Sequence, residues 1–292
     1  MQAHVRRPLR EILAAILVSF GAAAAVCAPA HDEGPSRREV VTLAVEDDWP
    51  PYTALRADGS GPEGFAIELV TAAFDTQGID VRLRAMPFAR CMHYARVGRV
   101  VGCFNATIVQ GNRDDYIWHR TPLFFEELAI YGSVSESRED LTLSNLEGEP
   151  VGYTIGYTYP TEFLQSKRFA RVAVKSDRVS LEMLAAGRIR YALLNTVPAQ
   201  MRLHAAPKLQ ARVKRVGQVR MDGFWVAFSK QHPEAERLAT VLDAGLTSLH
   251  ASGAYERLRQ RLLQPHALTG PVGTSAEQPR VERATTVNRA SR

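Results

Sequence analysis

The chain has 292 residues, enough for two compact domains or one domain divided into lobes. Apolar residues make up 46% and charged residues 23%, which excludes a fibrous or disordered body. Of the net charge of +5, residues 1–30 and 266–292 each hold +2; the remaining body is nearly neutral, and no Lys/Arg stripe marks it as a nucleic-acid binder.

Residues 1–30 read as a signal peptide. Arg6, Arg7 and Arg10 form a basic start, the apolar run to Val26 is short for a membrane span, and Ala28-Pro29-Ala30 offers a small-x-small cleavage pattern, so the secreted chain is expected to begin near His31. An uncleaved anchor is the alternative, weakened by Gly21 and the alanines after it. Cys27 follows Val26, which is too bulky for lipoprotein processing. Export places Cys91 and Cys103 in an oxidising compartment, where a disulfide between them is expected; their spacing fits neither a zinc site nor a nucleophile with a base partner.

The β-branched run Val40–Val45 predicts a buried strand ending at the acidic, Pro-rich loop from Glu46 to Pro51. Ala66, Leu69, Val70, Ala73 and Phe74 have helical spacing, and Gly78 stops that helix. Ile79–Arg84 reads as a second strand, Pro87 to Val97 as a short helix that Gly98 ends, and Val100–Ala106 as a third strand. The same βαβαβ order recurs from about residue 130, with strands at 150–154, 172–174 and 191–194 and a helix over 180–187. Phe224–Phe228 predicts one more strand, and Leu238, Val241, Leu242, Leu246 and Leu249 line one face of a final long helix. Residues 266–292 lack apolar periodicity and read as a disordered tail. Repeated βαβ units imply a mainly parallel sheet whose binding crevice lies at the strand carboxyl ends.

Taken in order, VTLAVEDDWPPYT, GFAIELV, RCMHYARVGRVVGCFNATIVQGNR, DYIWHRTPLFFEELAIYG, LEGEPVGYTIGY, LAAGRIRYALLNTVPA and GAYERL resemble the type II periplasmic binding proteins of amino-acid ABC importers, family 3 of the extracellular solute-binding proteins. The resemblance spans residues 39–263. It implies an α/β fold of two lobes, each with a mainly parallel sheet, joined by a two-segment hinge. Lobe 1 would comprise residues 39–128 plus 223–265, lobe 2 residues 129–222, with the crossings near Glu127–Gly132 and Arg220–Phe224.

Position by position, the resemblance puts Trp49 where an aromatic stacks on the ligand, an exposed indole at a strand end being suited to binding; the alternative is a rim aromatic packed on Pro50 and Pro51. Arg113 falls where a guanidinium clamps the ligand carboxylate, unless it is a surface Arg pairing with Asp114 or Asp115. Asn105 and Thr107 match positions that assist the carboxylate, and Thr158 would sit at a helix start, as an anion contact or a plain N-cap. Asn195 stands where the family has an Asp for the ligand's ammonium, and Val101 and Arg190 replace two further common Asp residues. Glu46, Asp47 or Asp48 would supply the missing negative charge, or form only a solvated acidic loop.

The resulting expectation is a monomeric, exported, non-enzymatic binder of a small carboxylate-bearing solute, an amino acid or derivative, with an ABC permease as partner and no cofactor or metal. Two alternatives stand beside it. One is a dehydratase of cyclohexadienyl acids on the same fold, for which His93 and His119 form no obvious catalytic pair. The other is a sensory module that presents ligand to a membrane partner.

Overall fold

The computed structural model describes residues 38–263; the signal peptide read over 1–30 and the tail read over 266–292 lie outside the described residues. The chain enters through β1 (Glu39–Glu46), then a small antiparallel sheet of β2 (Asp48–Trp49), β3 (Thr53–Leu55) and β4 (Pro62–Glu63). Next come α1 (Phe65–Asp75), β5 (Ile79–Met86), α2 (Phe88–Arg96), β6 (Gly102–Ala106), β7 (Tyr116–Trp118) and β8 (Phe124–Ser133). A second series follows: β9 (Pro150–Thr154), α3 (Thr161–Gln165), β10 (Ala170–Val174), α4 (Asp177–Ala185), β11 (Tyr191–Asn195), α5 (Thr196–His204) and α6 (Pro207–Gln210). The chain then runs through β12 (Val213–Ser229), α7 (Ala235–Ala251) and α8 (Ala254–Leu263).

The strand order is β10-β9-β11-β8-β12-β6-β1-β5. At either end the pairing is parallel, β6 and β5 flanking β1 on one side, β10 and β11 flanking β9 on the other. These strands are short apolar runs because helices cover both faces: every residue of β6 is buried, as are five of the last six of β1. In the middle, β8 and β12 run antiparallel from one half into the other, paired from Val213 to Phe224. Their ladder is interrupted near Val216 and Val219. At Gly217 a Cβ would lie 2.0 Å from the Leu141 carbonyl oxygen, so only glycine fits against that backbone.

β12 is 17 residues long, whereas the sequence pattern points only to Phe224–Phe228. Charged residues and two glycines break its alternation, and pairing on both edges holds it instead of a continuous apolar face.

The apolar interior divides along the same line. Core residues from Val41 to Phe124 and from Phe224 to Leu249 pack in one half; those from Leu128 to Val216 pack in the other. α1 and α7 bury the faces their spacing predicts, Leu69, Val70 and Phe74 against Leu238, Leu242 and Leu246, each such side chain worth about 1.5–3 kcal/mol. Cys91 on α2 and Cys103 on β6, both fully buried, form the expected disulfide across a Cα separation of 5.5 Å. Among the described residues no helix is long and apolar enough to cross a membrane.

Candidate functional site

Strands β1, β6, β9 and β11 all end toward one narrow cavity between the two halves. Glu46 closes β1, Asn105 and Thr107 stand at the end of β6, and Trp49 and Phe88 complete the first half's wall. The other half contributes Tyr157, Thr158 and Tyr159 from the loop after β9, and Asn195 at the end of β11. Leu128 on β8, with Asp222 and Phe224 on β12, forms the floor along the crossing strands.

The two halves touch across this cavity. The Tyr157 hydroxyl donates to the Glu46 carboxylate, and its ring meets Phe88 edge to face at 5.6 Å. Gly156 approaches Ala89 so closely that a Cβ there would come within 2.5 Å of the alanine methyl. Arg202 on α5 donates to Asp48 Oδ1 at 2.9 Å. Burial drives the Glu46 pKa well up, with Asp177, Asp48 and Asp47 adding repulsion and Tyr157 partly opposing. Asp177, also buried and raised, accepts from Thr154 Oγ1 at 2.6 Å, while the Thr154 backbone N–H donates to the Tyr159 hydroxyl at 2.8 Å. Asp222 is held by Arg220 at 2.7 Å.

Asn105 has φ of 70°, a left-handed conformation uncommon outside glycine. Its amide nitrogen donates to Thr53 at 3.3 Å, but its Oδ1 has no partner, nor does Thr107 Oγ1; both residues are about 4% exposed. Orphaned polar atoms are rare in a protein interior, and here they sit on the cavity wall.

Five of the six candidates from the sequence, Trp49, Asn105, Thr107, Thr158 and Asn195, line the cavity; Arg113 does not. Arg113 lies exposed in the turn after β6, where its carbonyl accepts from Trp118 Nε1 at 2.9 Å. Three expectations need correction. Trp49 is not an exposed rim indole: at 2% exposure it stacks on Tyr52 at 4.7 Å, because Phe124 and Phe224 enclose it from the crossing strands. Thr158 does not start a helix, since α3 begins at Thr161 behind Pro160. Glu46 is not part of a solvated loop, for it belongs to β1 and is buried. His119 is likewise buried, accepting from the Val226 backbone N–H at 2.9 Å, outside the lining.

Phe88, Leu128, Tyr157, Tyr159, Asp222 and Phe224 went unsuggested by the sequence. The aromatic run Tyr153, Tyr157, Tyr159 was the one available signal, since three tyrosines beside a turn exceed what a solvated loop requires.

A sequence profile of the bacterial extracellular solute-binding proteins, family 3, matches residues 41–265. No curated protein matches the chain. Among solved structures, a histidine kinase sensor domain with similarity to periplasmic binding proteins superposes with a TM-score of 0.69 at 22% identity, covering 78% of this chain and 97% of its own. An ancestral arginine-binding protein bound to arginine gives 0.66 at 19% identity, covering 77% and 98%. A mutant of ArgBP from T. maritima gives 0.66 at 18% identity, covering 77% and 95%.

Proposed function

Because the chain belongs to the bacterial extracellular solute-binding proteins, family 3, we propose that it is an exported periplasmic protein that captures a small amino-acid-like solute between two lobes and delivers it to an ABC permease. The observation that carries this reading is a single cavity walled from both halves and floored by the two strands that join them. Such a site opens and closes by bending those strands, and ligand shifts the balance by touching both walls at once.

In this reading residues 39–128 with 223–265 form one lobe and 129–222 the other, flexing where β8 and β12 cross. Interruptions of the ladder near Val216 and Val219 suit a bending ribbon. Trp49, Asn105, Thr107, Thr158 and Asn195 would touch the solute; the carboxylate contact expected of Arg113 finds no support in its exposed position. The likeness to the arginine-bound ancestral protein favours an amino acid or derivative. The likeness to a kinase sensor domain favours a second reading, in which a membrane sensor rather than a permease receives the loaded protein.

The test is a thermal-shift screen of the purified protein against amino acids, amines and organic acids, with scattering on any hit and recovery of the solute. A ligand at a hundred times its Kd raises stability by about 2.7 kcal/mol. Expected are a shift, a more compact particle and an unchanged solute. Failure of every class to shift the transition would overturn the reading, and turnover of the solute would replace it with the enzymatic one.

A further inference from the structure

Resting on that reading, we propose that the cleft selects its solute through a cationic nitrogen bearing N–H groups, a primary ammonium or a guanidinium, held by Glu46, Asn105 and Thr107, and that a carboxylate on the solute is dispensable.

The argument begins with what the wall lacks. Among the described residues no Lys or Arg lines the cavity, while two carboxylates do, Glu46 and Asp222. A third, Asp177, is buried close enough to raise the Glu46 pKa. The neighbouring cations are already engaged: Arg202 donates to both the carbonyl and the carboxylate of Asp48 at 2.9 Å, and Arg220 is paired with Asp222. Arg202 Nε and Arg220 Nη2 are buried without a partner, yet neither residue lines the cavity. A solute carboxylate here would face like charge in a half-desolvated space.

The second part is what the wall offers. Glu46 accepts from Tyr157 at one oxygen only, and its other oxygen has no partner among the described residues. Asn105 Oδ1 and Thr107 Oγ1 are buried on the same wall and also unpartnered. Three acceptors on the cavity wall, with only the rotatable Thr107 hydroxyl also able to donate, form the complement of an N–H-rich cation. The unpartnered lining donors among the described residues, Trp49 Nε1 and the Thr107 hydroxyl, are neutral and cannot neutralise an anion. Trp49, Phe88, Tyr157, Tyr159 and Phe224 present ring surface, which attracts a cation further. N–H groups rather than a quaternary ammonium are indicated, because a methylated nitrogen would leave the acceptors unsatisfied.

Titration calorimetry with arginine, agmatine (the same guanidinium without the carboxylate), butane-1,4-diamine and glutarate tests the proposal. Agmatine is expected to bind within about tenfold of arginine, glutarate not measurably, and Glu46→Gln to weaken agmatine at least about 30-fold (roughly 2 kcal/mol) while still folding cooperatively. Asn105→Asp, which adds negative charge at an unpartnered acceptor, is expected to strengthen agmatine severalfold. The proposal is overturned if agmatine falls more than a hundredfold below arginine, if glutarate outcompetes either, or if Glu46→Gln binds as wild type does. Tight binding of a neutral or anionic solute would sink this inference and leave solute capture standing, whereas silence from every solute class would sink both.

Discussion

Two buried glutamates, Glu46 and Glu126, sit under similar constraints and differ in one respect. Each is about 5% exposed or less, each accepts a tyrosine hydroxyl, and each has its pKa raised chiefly by burial. Glu126, on the crossing strand β8, is satisfied at both oxygens: Tyr52 donates to one, and the Val197 backbone N–H donates to the other at 2.9 Å. Glu46 is satisfied at one and faces the cavity. A carboxylate with both oxygens engaged by the fold ties the fold together; one left half-engaged at a cavity wall is available for a ligand.

The comparison is tested hardest by removing each side chain in turn. Glu126→Ala strands the Tyr52 hydroxyl and the Val197 N–H in a dry interior, so urea unfolding of the ligand-free protein is expected to show a loss of about 3–4 kcal/mol. Glu46→Ala strands only the half-buried Tyr157 hydroxyl and is expected to cost less than about 1 kcal/mol. Equal losses would erase the distinction.

Proton linkage sharpens it. The Glu126 carboxyl is pushed up to about 7 from an ordinary 4.5, so the folded state holds its proton more tightly than the unfolded chain. Its contribution to stability is therefore complete below pH 4.5 and is lost as pH rises through 7, a span worth about 3 kcal/mol at most. Buried Glu46 and Asp177 slope the same way, so the quantity to follow is the difference between wild type and Glu126→Gln. That difference is expected to shift against the wild type by about 2–3 kcal/mol between pH 4.5 and 8. A flat difference would show Glu126 ionised throughout.

The tyrosines separate the two sites by smaller effects. Tyr52→Phe removes one of two donors to Glu126 and is expected to lower stability by about 1–2 kcal/mol without changing dimensions. Tyr157→Phe cuts a tie between the halves, so its signature is a larger radius of gyration in scattering, with a stability change under about 1 kcal/mol. Expansion from Tyr52→Phe instead would move the closing contact to the crossing strands.

How far the sequence carries the reader follows from the same physics. Periodicity locates α1, α7 and the βαβ strands, because their apolar faces are set by burial alone. It misses most of β12 and all of β8, whose residues are fixed by pairing between distant segments. In the site, the family resemblance points to Asn105, Thr107 and Asn195, and the structure places all three at strand ends on the cavity wall. Tyr157 and Asp222 depend on how the two halves meet, and the burial of Glu46 on what later segments place over it, neither of which a local pattern encodes.

The smallest expected effect concerns Arg113, where family resemblance and geometry disagree. The resemblance makes it the carboxylate clamp, and loss of a clamp inside a desolvated cleft ordinarily abolishes binding. Its turn is instead fastened by Asn112, whose amide donates to the Thr107 carbonyl and accepts from the Val109 N–H, both at 2.8 Å. The Arg113 N–H donates to the Val109 carbonyl and the Trp118 indole N–H donates to the Arg113 carbonyl, completing the anchoring and leaving the guanidinium exposed and outside the cavity wall. None of these bonds uses the side chain. Arg113→Ala is therefore expected to change stability by less than about 0.5 kcal/mol and solute affinity by no more than about twofold. Calorimetry on that variant with whichever solute binds the wild type decides between the two: loss of binding would mean that the turn rearranges on closure to bring the guanidinium inward, and the half-engaged Glu46 would then cease to be the group that defines the cleft.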